Sequence, residues 1–192
     1  MFADSTTDEP VDALLVAHQP DLVLILGDLQ EWYLAPLGDW HGPKLGVYGN
    51  HCWPGYMEQL GIINLHMRRW QVGGALLAGF AGCHRYKAAG RFQYDQEEAL
   101  ALIKALPAAD VLACHSPPNG INDHEDPAHQ GLYALNWYLH AHQPQLLLHG
   151  HTYPTQDTMI GNANGTRIEY VHGARIVHLP RCLRTVSVSP AR

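Results

Sequence analysis

No CxxC pair, no run of lysines and arginines and no long apolar stretch occurs in this sequence, and each absence removes a class of protein. The 4 cysteines, Cys52, Cys83, Cys114 and Cys182, are too few for a disulfide framework and read as reduced thiols of a cytoplasmic protein. Without a basic run, and with a formal charge of −6, a broad electrostatic grip on polynucleotide is not expected. Small anionic substrates stay open, because a bound metal can invert the local charge. No apolar run reaches bilayer length, and the start "MFADSTTDEP" lacks the basic and apolar regions of a signal peptide, so neither a membrane nor secretion is expected. Charged residues are only 16% against 46% hydrophobic, which excludes a disordered tail. Repeats, low-complexity segments and linkers are also missing, so residues 1–192 read as one domain. Histidine is in excess: there are 14, against 12 lysines and arginines together.

Strand-like and helix-like segments alternate. "VDALLVAH" (11–18) has helical spacing and stops before Pro20; "DLVLIL" (21–26) and "KLGVYG" (44–49) read as strands. "QVGGALLAGFAG" (71–82) reads as one or two strands punctuated by glycine. Asp95 and Glu98 form a capping-box pattern ahead of "EALALIKAL", "DVLAC" (110–114) is a strand, and "LYALNWYLHAH" (132–142) is a helix stopped by Pro144. "QLLL" (145–148) is a buried strand, and the tail "RIEYVHGARIVHLP" predicts a hairpin turning at His172-Gly173. The pattern predicts an α/β domain with a mixed sheet whose final pairs are antiparallel.

Four of these strands end in residues able to bind metal: Asp28, Asn50, His115, and the pair His149 and His151. Ligand sites in α/β sheets lie beyond the carboxyl ends of the strands, so these residues can converge. Strand alternation would also point His149 and His151 the same way. Taken singly, each motif has an ordinary reading as turn chemistry or a loop histidine. Carboxylate, amide oxygen and imidazole together suit Mn, Fe or Zn better than Ca or a thiolate-bound metal.

The set GD (27–28), GNH (49–51), HSPP (115–118) and HGHT (149–152) resembles the calcineurin-like metallophosphoesterase superfamily, over nearly the whole chain. The resemblance implies a four-layer fold, a mixed β-sandwich flanked by helices, with the metal site at the C-terminal ends of the strands. It further implies a dinuclear centre that hydrolyses phosphate esters, acting here on a small substrate. Asp28 would bridge two metals; Asn50, His115 and His149 would complete one site, and His151 would belong to the other. His51 would contact the phosphate or protonate the leaving oxygen. Two metals roughly 3.5–4 Å apart would activate a shared water and offset charge on the phosphoryl group.

The sequence departs from that pattern at two places. The superfamily opens with D-x-H after its first strand, whereas here Asp4-Ser5-Thr6 is the only counterpart. Asp4 is expected to remain a ligand, with Thr6 standing where an imidazole belongs and weakening the first site. Only Met1, Phe2 and Ala3 precede it, so the first strand is expected to be truncated. Cys52 follows GNH in place of an acidic residue and reads as a buried cysteine rather than a catalytic thiol. "GCHRYKAAGR" (82–91) is expected to form a loop over the cleft, with His84 and Arg85 as candidate substrate contacts. Trp32, Tyr33 and Trp40 offer an aromatic wall or simple packing, and Asp123 and His124 a turn. Two readings follow: a metal-dependent phosphodiesterase or phosphatase, and a degenerate member that serves as a binding or scaffold module.

Overall fold

A computed structural model describes residues 1–153 and 160–179 of the chain. In order, the first half supplies β1 (Phe2–Ala3), α1 (Val11–His18), β2 (Val23–Ile25), α2 (Glu31–Leu34), β3 (Lys44–Gly46), α3 (Tyr56–Gln59), β4 (Ile63–Asn64), β5 (Arg69–Val72) and β6 (Ala75–Phe80). The second half adds β7 (Cys83–His84), β8 (Gln93–Tyr94), α4 (Gln96–Ala105), β9 (Val111–Cys114), α5 (Tyr133–His142), β10 (Leu146–His149), β11 (Ile160–Ala163), β12 (Thr166–Tyr170) and β13 (Gly173–Ala174). Among the described residues no helix is long and apolar enough to cross a membrane.

Local chemistry accounts for the helix ends. Asp95 accepts the amide of Glu98 at 2.8 Å, and the Glu98 carboxylate accepts the Asp95 amide at 3.0 Å, so the expected capping box starts α4. Helices α1 and α5 both stop on a glutamine in left-handed conformation, Gln19 and Gln143, immediately before a proline.

The chain is mixed α/β, with parallel and antiparallel sheets and flanking helices. The first sheet runs β13-β1-β2-β3-β4, parallel except for β13. The second runs β11-β12-β10-β9-β6-β5, with four parallel central strands and antiparallel edges. Alternation along the central strands splits the core. Leu77, Val111, Ala113, Leu146 and Leu148 join the cluster built on the first sheet. Their neighbours Ala78, Leu112, Cys114 and Leu147 face α4 and α5 through Ile103, Leu135 and Leu139. Burying each such leucine is worth roughly 1.5–3 kcal/mol, which fixes the register of these strands and so where their ends fall relative to one another.

The segment 71–82 resolves into two strands, separated at Gly73-Gly74. The tail corrects the expected hairpin. The antiparallel pair is β11–β12, turning at Asn164-Gly165, both with positive φ. At His172-Gly173 the chain instead leaves the second sheet, and β13 pairs with β1 in the first. Pro154, Pro180 and Cys182 lie outside the described residues, whereas Cys52, Cys83 and Cys114 are buried free thiols.

Candidate metal centre

The turns after β1, β2, β3, β9 and β10 meet at one place. Ligand atoms of Asp28, His115 and His151 all lie within 4.8 Å of one another. His115, fully buried, donates Nδ1–H to the Leu26 carbonyl at 2.8 Å, which leaves Nε2 facing inward. That Nε2 sits 3.0 Å from Asn50 Oδ1 and 3.3 Å from an Asp28 carboxylate oxygen. Three atoms with lone pairs cannot converge unless a proton or a cation lies between them.

Charge in the cluster follows from this crowding. Burial opposes a charged His115, but the carboxylates of Asp28 and Asp4 outweigh it and push the imidazole up to about 9. Burial likewise works against ionised Asp28, yet His115 and the His51 amide hold it down at about 2. Asp4 goes the other way: its burial, with Asp28 nearby, raises it to about 7. One of its oxygens accepts the His151 amide at 2.7 Å, while Oδ1 is buried with no hydrogen-bond partner, 3.9 Å from His115 Nδ1. An unpartnered buried carboxylate oxygen is costly, and a cation would satisfy it. The donor set therefore fits a borderline divalent metal.

Backbone strain and close approach are concentrated here. Asp4, Asp28, Asn122 and His151 are four of the nine described non-glycine residues with positive φ. A glycine separates His149 from His151 because a Cβ on residue 150 would lie 2.6 Å from the Asp4 carboxylate. The turn also ends the strand at His149, so alternation does not carry over to His151. The two imidazoles diverge. His151 has its ring 4.8 Å from that of His115, and its Nε2–H donates to the Ala128 carbonyl at 2.8 Å. His149 is fully buried, with Nε2 2.9 Å from the Asn122 amide and Nδ1 3.0 Å from the Gly150 carbonyl. Burial lowers both, to about 4 for His149 and about 3 for His151. The geometry thus brings His115 and His151 together around Asp28, while the nitrogens of His149 are taken up by Asn122 and Gly150.

The remaining candidates are placed as follows. His51 is exposed, and its amide donates to Asp28 Oδ1 at 2.8 Å, which seats the side chain at the rim. Thr6 is exposed, two residues beyond Asp4. Arg85 is engaged by Glu98 at 2.6 Å, and His84 Nδ1 is buried without a hydrogen bond. The segment expected as a loop over 82–91 instead begins with β7. The stretch after it reaches the cluster through Tyr86, whose hydroxyl accepts from the Asn50 amide at 3.0 Å and so turns Oδ1 inward. Tyr33 is buried and bonded to Thr7, Trp40 packs on the core, and Trp32 is exposed, so these three form no common wall. Asp123 braces its loop by accepting from Asn119 and Gly131. Tyr86, Asn122 and the Ala128 carbonyl escaped sequence reasoning, because nothing local marks a loop residue that reaches a distant strand end.

No protein-family model matches the chain, and a search of the curated proteins finds no match. Solved structures do match. One crystal structure aligns with a TM-score of 0.65, covering 90% of this chain and 90% of its own at 16% identity. The crystal structure of TT1561 of Thermus thermophilus gives 0.59, over 83% and 80%, at 18% identity. At such identities the likeness shows a shared fold and nothing about activity.

Proposed function

We propose that this chain is a metal-dependent phosphoester hydrolase of the calcineurin-like type. The carrying observation is the convergence of Asp28, His115 and His151 within 4.8 Å at strand ends. On this reading the two sheets face each other through the first core cluster, helices α4 and α5 cover the second sheet through the other, and the arrangement is the four-layer fold. Asp4, Asp28, Asn50, His115 and His151 would hold the metal, and His149 would join them only by giving up its bond to Asn122. Divalent ions, when bound, would activate water and offset charge on the phosphoryl group.

The protein's own groups do the rest. Asn50, aligned by Tyr86, contributes a neutral oxygen that adds no negative charge against a phosphate. His115 is steered by the Leu26 carbonyl and His151 by Ala128, the outer hydrogen bonds that orient ligating imidazoles. His51, anchored to Asp28 through its amide, is seated to give a proton to the leaving oxygen.

The test is hydrolysis of bis(4-nitrophenyl) phosphate, with the metal removed by EDTA and returned as Mn. Activity should vanish and return. Asp28→Asn should remove nearly all turnover and weaken metal binding, whereas His51→Ala should depress turnover with metal content unchanged. Absence of both divalent binding by calorimetry and turnover would overturn the proposal. The exposed Thr6, where the resemblance calls for an imidazole, favours the second reading as a binding module; metal binding without turnover would select it.

A further inference from the structure

Beside the cluster lies a second feature, a pocket of about 190 Å³ lined by Leu29, Gln30, Glu31, His51, Trp53 and Gln59, among others. We infer that this pocket is the leaving-group subsite, and that it takes an uncharged nucleoside whose base lies against Trp53. The inference deepens the hydrolase reading and rests on it, since that reading is what makes the group beside His51 a leaving group.

His51 joins the two places. Its amide is bonded to Asp28, and its side chain lines the pocket. A phosphate held at the cluster and a group held in the pocket would therefore be connected at the oxygen that His51 faces. The lining then sets the chemistry. Glu31 lines it, no lysine or arginine is among the lining residues, and the nearby Arg91 guanidinium is taken up against the Trp53 ring. A second phosphate or a carboxylate on the leaving group is therefore disfavoured. Gln30 and Gln59 offer both donors and acceptors, matching a ring with mixed polar edges. The volume is below the roughly 300–1,000 Å³ of sites that enclose a drug-sized molecule, so a base fits with its sugar reaching toward the cluster, and an extended chain does not.

Trp53 supplies the platform. It is 68% exposed, although indoles are on average well buried. Its ring is held by the Arg91 guanidinium, 3.6 Å from the centroid. Arg91 belongs to the same loop that sends Tyr86 to Asn50, so one loop braces both the cluster and the platform. A rigid, accessible indole stacks any base with little loss of side-chain freedom.

The test is ligand-observed NMR titration of the whole chain with adenosine and, separately, with ribose, in EDTA. Adenosine should bind through its base protons and ribose should not. Trp53→Ala should weaken adenosine binding about tenfold or more, and Trp53→Phe, which keeps a ring, should retain most of it. Adenosine binding unchanged in Trp53→Ala, or ribose binding equally well, overturns the subsite. So does adenosine failing to bind at all. Because this readout needs neither metal nor turnover, its failure leaves the hydrolase reading to be decided by its own assay.

Discussion

The sulfur of Cys52 accepts the backbone amide of Asp28 at 3.2 Å, and that of Gly49 at the same distance. A side chain only 4% exposed thus ties the turn after β2 to the turn after β3. Its burial raises the thiol above its usual range, which suits a hydrogen-bond acceptor in the core and not a nucleophile. Cys52→Val keeps the volume but strands two amide donors. It should cost about 1–3 kcal/mol by urea denaturation and weaken metal binding, while Cys52→Ser, with an acceptor oxygen, should recover part of both.

Gly150→Ala should disrupt the centre through Asp4. The added methyl would meet the carboxylate at 2.6 Å and the Ala3 side chain at 3.1 Å, both in place before any metal binds. Overpacking of this kind costs about 1–3 kcal/mol. Thermal unfolding in EDTA should show the loss, and a variant as stable as the parent would mean that the turn gives way easily.

The metal-free protein should be most stable near neutrality. His149 and His151 are lowered from 6.5 to about 4 and about 3, so the unfolded chain binds more protons there and stability is lost as pH falls below 6.5. Asp4 is raised from 3.8 to about 7, so its contribution fades as pH rises through that range, offsetting one of the two histidines. His115 is raised from 6.5 to about 9, and its contribution is lost as pH climbs from 6.5 through 9. The buried Met1 amino group, lowered from 8.0 to about 6, gains stability with pH over that range and offsets His115 up to about 8. Urea midpoints in EDTA should therefore rise from about pH 4.5 to about 6.5, change little to about 8 and fall again by about 9. A monotonic profile would contradict these assignments.

Thr6→His should tighten metal binding if Thr6 occupies the position inferred for it. A restored imidazole should improve Mn affinity roughly tenfold or more, read by calorimetry. Its exposure leaves room for the larger ring, so stability should hardly change. An unchanged affinity would mean that the missing donor is supplied elsewhere or that Asp4 is not a ligand.

What could be read from the sequence was whatever is encoded locally. Leu146–Leu148 is a buried strand by its own composition, and the Asp95–Glu98 box announces α4. Asp28, Asn50, His115 and the HGH turn were legible as candidates because each follows an apolar strand. The tail was misread because His172-Gly173 and Asn164-Gly165 both carry turn residues, and only sheet pairing shows which one reverses the chain. The divergence of His149 from His151 was hidden for a similar reason: alternation holds only while the strand continues. Tyr86, Asn122 and Trp53 sit on loops whose landing points are set by the packing beneath them.

The pairing of β1 with β13 has a consequence for how the molecule is made. Met1 N donates to Arg175 O across 174 positions, and the His151 amide reaches Asp4 across 147. Contacts so distant along the chain slow folding, because their loop-closure entropy must be met before they return any stability. During synthesis, β1–β2 pairing and the bond from the Asp4 amide to the Gly27 carbonyl can set Asp4 beside Asp28 early, while its carboxylate still waits for the His151 amide. The group Asp28, His115 and His151 is therefore complete only once the chain has been made past His151, and a nascent chain stalled before it would lack one of the three.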